Sequence, residues 1–149
     1  MLEAVAVITV VVVGLMVGVE LSVAVFVNPI FDRLPDDAGL AGRSDGARVL
    51  GTVMPFWYIG SVLLVAAWAA LAWGQAPAAM IVVAGALLVV SVLMSVTLLV
   101  PINSRVARWS VEGAPADWRD QARRWERLHY IRVAVIVAAF VLLVVARGV

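Results

Sequence analysis

Hydrophobic positions in this chain come in long runs, and the breaks between runs set the architecture. The first run extends from about Ala4 to Phe31 and is interrupted only by Glu20. No charged residue occurs between Arg48 and Arg105. That stretch is too long for one helix, and Gly74-Gln75-Ala76-Pro77 divides it into a helical hairpin. The last run, Val133 to Ala146, is short for a span, but an amphipathic stretch from Asp117 precedes it. One long helix that enters the bilayer partway along is therefore expected. The pattern predicts an all-α, integral membrane four-helix bundle, a single domain over residues 1–149 with spans at about 4–31, 53–73, 78–100 and 130–147. Helices are the economical choice because lipid offers backbone groups no hydrogen-bond partner. The first run does not read as a signal peptide: it lacks a basic leader, carries Glu3, and is too long. Asp36 to Asp45, with glycines and mixed charges, reads as a solvated loop. No internal repeat or solenoid is evident. Gly14, Gly18 and Ser22 form a small-residue stripe that lets another helix approach closely or, on a second reading, forms a ligand groove.

Composition supports this reading. Of 149 residues, 64% are hydrophobic, more than a soluble domain of this length can bury. Cysteine is absent, so disulfides, thiolate nucleophiles and Cys-ligated metals are excluded. The net charge of +1 is uninformative, but all 11 basic residues are arginine and their placement is uneven. Arg33, Arg43 and Arg48 follow the first span; Arg105, Arg108, Arg119, Arg123, Arg124, Arg127 and Arg132 follow the third. The positive-inside rule puts both connections in the cytoplasm of a cell-membrane protein. Both termini then lie outside, and the fourth helix extends into the cytoplasm.

Polar residues within the spans need a partner or a task. At a helical rise of ~1.5 Å per residue, Glu20 lies about 24 Å from the outer end and Arg132 about 22 Å, so an ion pair between helices one and four is expected. His129, about 27 Å in by the same rise, falls level with Pro55 and Trp57, and Asn28 and Asn103 lie roughly 37–39 Å in. Trp118, Trp125, His129 and Arg132 recur at helical spacing and share one face. Facing inward, they would line a site with indoles, an imidazole and a guanidinium. Each also has a plainer reading. Trp57, Trp109 and Trp118 suit an interfacial aromatic belt, Arg132 can snorkel to headgroups, and Asn28 and Asn103 can cap helix ends beside Pro29 and Pro101. Glu20 is either a structural ion-pair partner or a functional carboxylate. His129 is either a hydrogen-bonded structural residue or a base.

One histidine and one glutamate are too few for a metal site, so no metal is expected. There is no glycine-rich phosphate loop, no nucleotide fingerprint, no serine–histidine–acid arrangement and no basic module for nucleic acid. What is left is a base, a cation, amides and aromatic walls, a set suited to deprotonating a flat aromatic carbon acid or phenol and holding its anion. The order Gly18-x-Glu20, Asn28-Pro29, Pro101-Ile102-Asn103 and Trp125-x-x-x-His129-x-x-Arg132 resembles the anthrone-oxygenase-like family of small four-helix membrane proteins. The resemblance implies oxidation of a lipophilic aromatic by dioxygen with no cofactor. In that scheme His129 is the base, Arg132, Asn28 and Asn103 stabilise the oxyanion, Trp125 and Trp57 contact the rings, and Glu20 orients Arg132 or His129. The partners are then the lipid bilayer and an aromatic small molecule, and a homo-oligomer is allowed. Two other classes stay open: a non-enzymatic binder or accessory subunit with a structural polar layer, and a transporter using Glu20 as a proton carrier.

Overall fold

The computed structural model describes every residue, Met1–Val149. Four helices are long and apolar enough to cross a membrane: α1 (Leu2–Arg33), α2 (Asp36–Leu71), α3 (Ala78–Glu112) and α4 (Trp118–Gly148). They run alternately up and down in a ring, α1 and α3 each packing on both α2 and α4. Both termini and the α2–α3 turn lie at one end, where Gly74 adopts φ +80°, a conformation that releases the chain from α2. The two remaining connections lie at the arginine-bearing end. At the opposite end Arg147 of α4 pairs with Glu3 of α1 at 2.6 Å. The helices outrun the expected spans: the 36 residues of α2 reach about 54 Å at ~1.5 Å per residue, past a hydrocarbon core of ~30 Å.

Asp36–Asp45, expected as a loop, is the first part of α2. Pro35 precedes it, and Asp36 and Asp37 occupy the first turn, where negative charge complements the helix dipole. Its partners come from distant elements. Arg43 binds Asp32 at 2.5 Å and Glu126 at 2.8 Å, and Asp36 pairs with Arg119. The glycines that suggested a loop are contact points. A Cβ at Gly39 would stand 2.6 Å from the Phe31 carbonyl oxygen, and one at Gly42 would stand 2.7 Å from the Phe31 ring.

Two helices contain a π turn, at Val23–Val27 in α1 and Ser95–Leu99 in α3. Asn28 N–H donates to the Val23 carbonyl and Val100 N–H to that of Ser95, the wide i→i+5 pattern. Each turn is followed by a proline, Pro29 or Pro101, which donates no hydrogen bond and crowds the turn before it. The carbonyl of Ala24, to which residue 29 would donate in the same pattern, accepts instead from the Tyr130 hydroxyl of α4 at 2.6 Å. Pro29-Ile30-x-x-Arg33 and Pro101-Ile102-x-x-Arg105 stand in the same relation to their π turns. The step from Pro29 to Pro101 equals that from Tyr58-Ile59 to Tyr130-Ile131. The two helical hairpins are thus built alike, a repeat that short motifs in an apolar background had concealed.

Towards the end that carries the termini the bundle is filled by Val13, Met16, Val65, Ile81, Leu88, Ile136 and Leu143. Outward faces carry exposed Val, Ile and Leu, as suits helices solvated by lipid. The small-residue stripe of α1 is only partly used: a Cβ at Gly14 would stand 2.9 Å from the Phe140 ring, while one at Gly18 would meet nothing within 4 Å. Gly39→Ala is expected to lower stability by about 1–3 kcal/mol, because the backbone carbonyl it would meet cannot swing aside. Gly18→Ala should be neutral or slightly stabilising. Thermal unfolding of both variants in detergent checks this, and a Gly39→Ala protein as stable as wild type would refute the close approach.

Candidate functional site

The polar residues of the spans converge where α1, α3 and α4 meet. Glu20 and Arg132, at matching depth on α1 and α4, form a buried ion pair with Arg132 Nη2 2.5 Å from Glu20 Oε2. Arg132 Nη1 donates to Ser95 Oγ at 2.9 Å, and Ser95 donates in turn to the Ser91 carbonyl at 2.8 Å. The Ser95 side chain comes from the π turn of α3. His129 completes the set, with Nδ1 3.0 Å from Arg132 Nη2 and Nε2 3.1 Å from the Glu20 carbonyl oxygen. A guanidinium only donates. Nδ1 therefore accepts, and the single ring proton sits on Nε2, where it is given to the Glu20 backbone. The imidazole is fully buried and stacks on Trp125 with centroids 4.6 Å apart and planes 16° apart. From α2, the Tyr58 ring lies 5.4 Å from the Arg132 guanidinium carbon.

Against this pair lies a cavity of about 280 Å³. Its walls are mostly apolar, and its polar liners include Glu20, Asn28, Tyr58, Asn103, Trp125 and Arg132. Several of their atoms are buried without a hydrogen-bond partner: Glu20 Oε1, Asn28 Nδ2, Tyr58 Oη, Trp125 Nε1 and Arg132 Nε. Buried polar groups are normally paired. A cavity lined by residues whose buried polar atoms lack partners can offer those atoms to a molecule with a polar edge.

The structure thus gathers Glu20, Arg132, Asn28, Asn103 and Trp125 around one space and leaves His129 and Trp57 off its walls. His129 stands behind the ion pair with both ring nitrogens engaged. Trp57, expected to contact substrate, turns towards α1 and donates from Nε1 to the Val12 carbonyl at 3.1 Å. Its neighbour Tyr58 occupies the inward phase of α2 instead, in register with Met54, Ser61 and Val65. That phase, marked by Ser61, was the signal that could have selected Tyr58. Trp118 meets Trp109 edge-on at 6.2 Å and does not line the cavity. Arg132 does not snorkel. Neither asparagine ends a helix: Asn103 Nδ2 donates across to the Ala47 carbonyl of α2 at 3.0 Å, and Asn28 lines the cavity with its Nδ2 buried and unpaired. No three His, Asp or Glu side chains come together as a metal-binding group.

Fold and site define a membrane-type four-helix bundle with a carboxylate–guanidinium centre beside a mostly apolar cavity. Residues 47–142 match the model of the family described as anthrone oxygenase. The match covers more than half of the chain, and the chain belongs to that family. It takes in Tyr58, Asn103, Trp125, His129 and Arg132; Glu20 and Asn28 precede it. No curated protein and no solved structure shows significant similarity.

Breaking a buried ion pair from one side leaves an uncompensated charge, a loss of roughly 3–5 kcal/mol. Arg132→Met should therefore destabilise the bundle by about that amount, and the Glu20→Met/Arg132→Met double variant should recover most of it. Melting temperatures of the two proteins in the same detergent make the comparison. A double variant no more stable than the single one would show that the pair's charge is not what constrains this layer.

Proposed function

We propose that this protein is a membrane-embedded, cofactor-independent oxygenase acting on a lipophilic, anthrone-like aromatic bound in the cavity beside Glu20 and Arg132. The observation that carries the reading is the Glu20 carboxylate: the residue lines the cavity, Oε2 is held by Arg132, and Oε1 is buried without a hydrogen-bond partner. Glu20 takes a proton from the ring methylene, and the donors of Asn28, Tyr58 and Trp125 hold the oxyanion into which the charge spreads. The electron-rich anion passes an electron to dioxygen, and the carbon–oxygen bond forms to give a hydroperoxide. Loss of water from it leaves the ketone, so that CH2 and O2 become C=O and H2O. In this scheme the base is Glu20, not His129. His129 is a positioning residue that fixes Arg132 and, through it, the carboxylate. A largely apolar wall keeps the anion from water.

Oxygen uptake by membranes containing the protein, supplied with anthrones and hydroxylated aromatics, tests the reading against empty membranes. Wild type should accelerate uptake, and Glu20→Gln should reduce the enzymatic part by about 10²-fold or more, the usual contribution of a positioned base. His129→Gln, which keeps an amide beside the Glu20 carbonyl, should retain more rate than Glu20→Gln. Equal rates with wild-type and empty membranes for every substrate would overturn the oxygenase. The engagement of Arg132 by Glu20, Ser95 and His129 favours a second reading, a non-enzymatic small-molecule binder with a structural polar layer, and that result would select it.

The same reading places the protein in the cell membrane with its arginine-rich connections in the cytoplasm and both ends outside, on the distribution of arginine. The chain has no cysteine, so single cysteines report on it cleanly. Gln75→Cys in intact cells should react with a membrane-impermeant maleimide, and Asp37→Cys only after permeabilisation. The reverse pattern would invert the topology.

A further inference from the structure

The cavity wall is not uniform in what lies behind it. Five of its liners are also exposed on the outside of the bundle: Gly51, Pro55 and Ile59 on α2, and Val96 and Val100 on α3. Ile59 is 57% exposed and Val96 61%. None of the liners on α1 or α4 is exposed in this way. The cavity therefore opens sideways, through a slit between α2 and α3. Beside Gly51 the helices close together, a Cβ there standing 3.0 Å from Asn103 Nδ2. From there the slit runs past Pro55 and Val100 to Ile59 and Val96. Gly51 has no side chain and Pro55 a short ring, and the π turn of α3 carries Val96, so no long side chain bridges the gap. At ~1.5 Å per residue the slit on α2 lies about 18–30 Å from the end of that helix, within a hydrocarbon layer of ~30 Å.

The aqueous side of the cavity is closed. Arg43, buried, stands at the arginine-bearing end and is fastened to Asp32 and Glu126. The Phe31 ring lies 6.0 Å from its guanidinium carbon, and Trp109 is buried beside it on the wall. Away from Arg43 the cavity is lined by Glu20, Tyr58 and Arg132, each with a polar atom that lacks a partner, and the slit presents only apolar side chains and glycine.

We infer that the site takes a single-tailed membrane amphiphile, a hydroxylated or keto-aromatic head carrying a hydrocarbon chain, admitted sideways from the bilayer between α2 and α3. The head sits against Glu20 and the polar residues around it, and the chain leaves between Ile59 and Val96 into lipid. A head anchored there directs whatever it carries through the slit, because the opposite end is closed by Arg43. The assignment of the head rests on the role proposed for Glu20; the path of the chain does not.

The probe is a 5-alkylresorcinol with a diazirine in mid-chain, added to the protein in phosphatidylcholine nanodiscs, with photoadducts mapped by mass spectrometry. Saturable adducts should appear on α2 and α3 around Ile59 and Val96, and excess 5-pentadecylresorcinol should remove them. Ile59→Trp and Val96→Trp, both at lipid-facing positions that tolerate a large side chain, should each lower saturable labelling by about tenfold, ~1.4 kcal/mol of site affinity. Glu20→Gln should lower it as well. Adducts spread over the outer faces of all four helices, or slit variants that label like wild type, would overturn sideways binding of a tailed molecule and leave the oxygenase reading standing. Labelling that the slit variants reduce but Glu20→Gln does not would overturn the head assignment, and with it the role given to Glu20.

Discussion

A carboxylate and a guanidinium face each other near the middle of a bundle otherwise built from Val, Leu, Ile and Ala, and most of what is distinctive here is arranged to make that tolerable. Neither charge could remain alone at this depth, so α1 and α4 are held in the register that joins them. The pair is not self-sufficient. Arg132 has more protons than Glu20 can accept, and Ser95 and His129 take two further directions of its fork. His129 in turn returns its proton to the backbone of Glu20. The ring of contacts closes on itself and leaves one carboxylate oxygen, Glu20 Oε1, without a partner.

Two of the helices that wall the cavity are wound more loosely where they border it. In α1 and α3 a proline interrupts the ladder, and the helix answers with a π turn rather than a kink that ends it. The wide turn shifts the phase of the residues beyond it, so Asn28 and Asn103 reach the same space as residues a turn or more before them. Tyr130 satisfies the carbonyl freed in α1. Backbone irregularity is tolerated at this depth because it is buried in protein or lines a cavity.

Runs of apolar residues and the Gly74–Pro77 break were enough to read four helices, and equal depth was enough to pair Glu20 with Arg132. Those features depend on composition and length, which a sequence displays directly. The helical start of α2 was not legible. Its glycines and charges are loop-like until Phe31, Asp32, Arg119 and Glu126 are brought against them, and those lie on other helices. The π turns were hidden for a related reason: a proline within an apolar run signals a disturbance but not its form. That hidden change of phase is one reason a count of helical spacings misjudges which residues meet. Trp57 and Tyr58 are adjacent, and a single step of about 100° around the helix decides which of them sees the cavity. His129 was correctly drawn to the polar layer, yet it is buried with both nitrogens committed and does not line the cavity.

The likeness of the two hairpins bears on how the cavity came to be two-ended. Along α1 the walls are formed by Glu20, Val23, Val27, Asn28 and Phe31; along α3, in the same relation to the π turn, by Val92, Ser95, Leu99, Val100 and Asn103. One scaffold thus presents equivalent positions from two sides, but the side chains differ. Where α1 places a carboxylate and an amide, α3 places two valines. A strictly symmetric pair of hairpins would have set two like charges at Glu20 and its counterpart, facing across a small space, which costs energy without a cation for each. Val92 at the second position avoids that repulsion. The polar residues left on the wall of α3, Ser95 and Asn103, are engaged by Arg132 and the Ala47 carbonyl, with valine and leucine between them. Charge at one side and hydrocarbon at the other is what an amphiphilic aromatic requires, and here it follows from breaking the chemistry of a repeat while keeping its geometry.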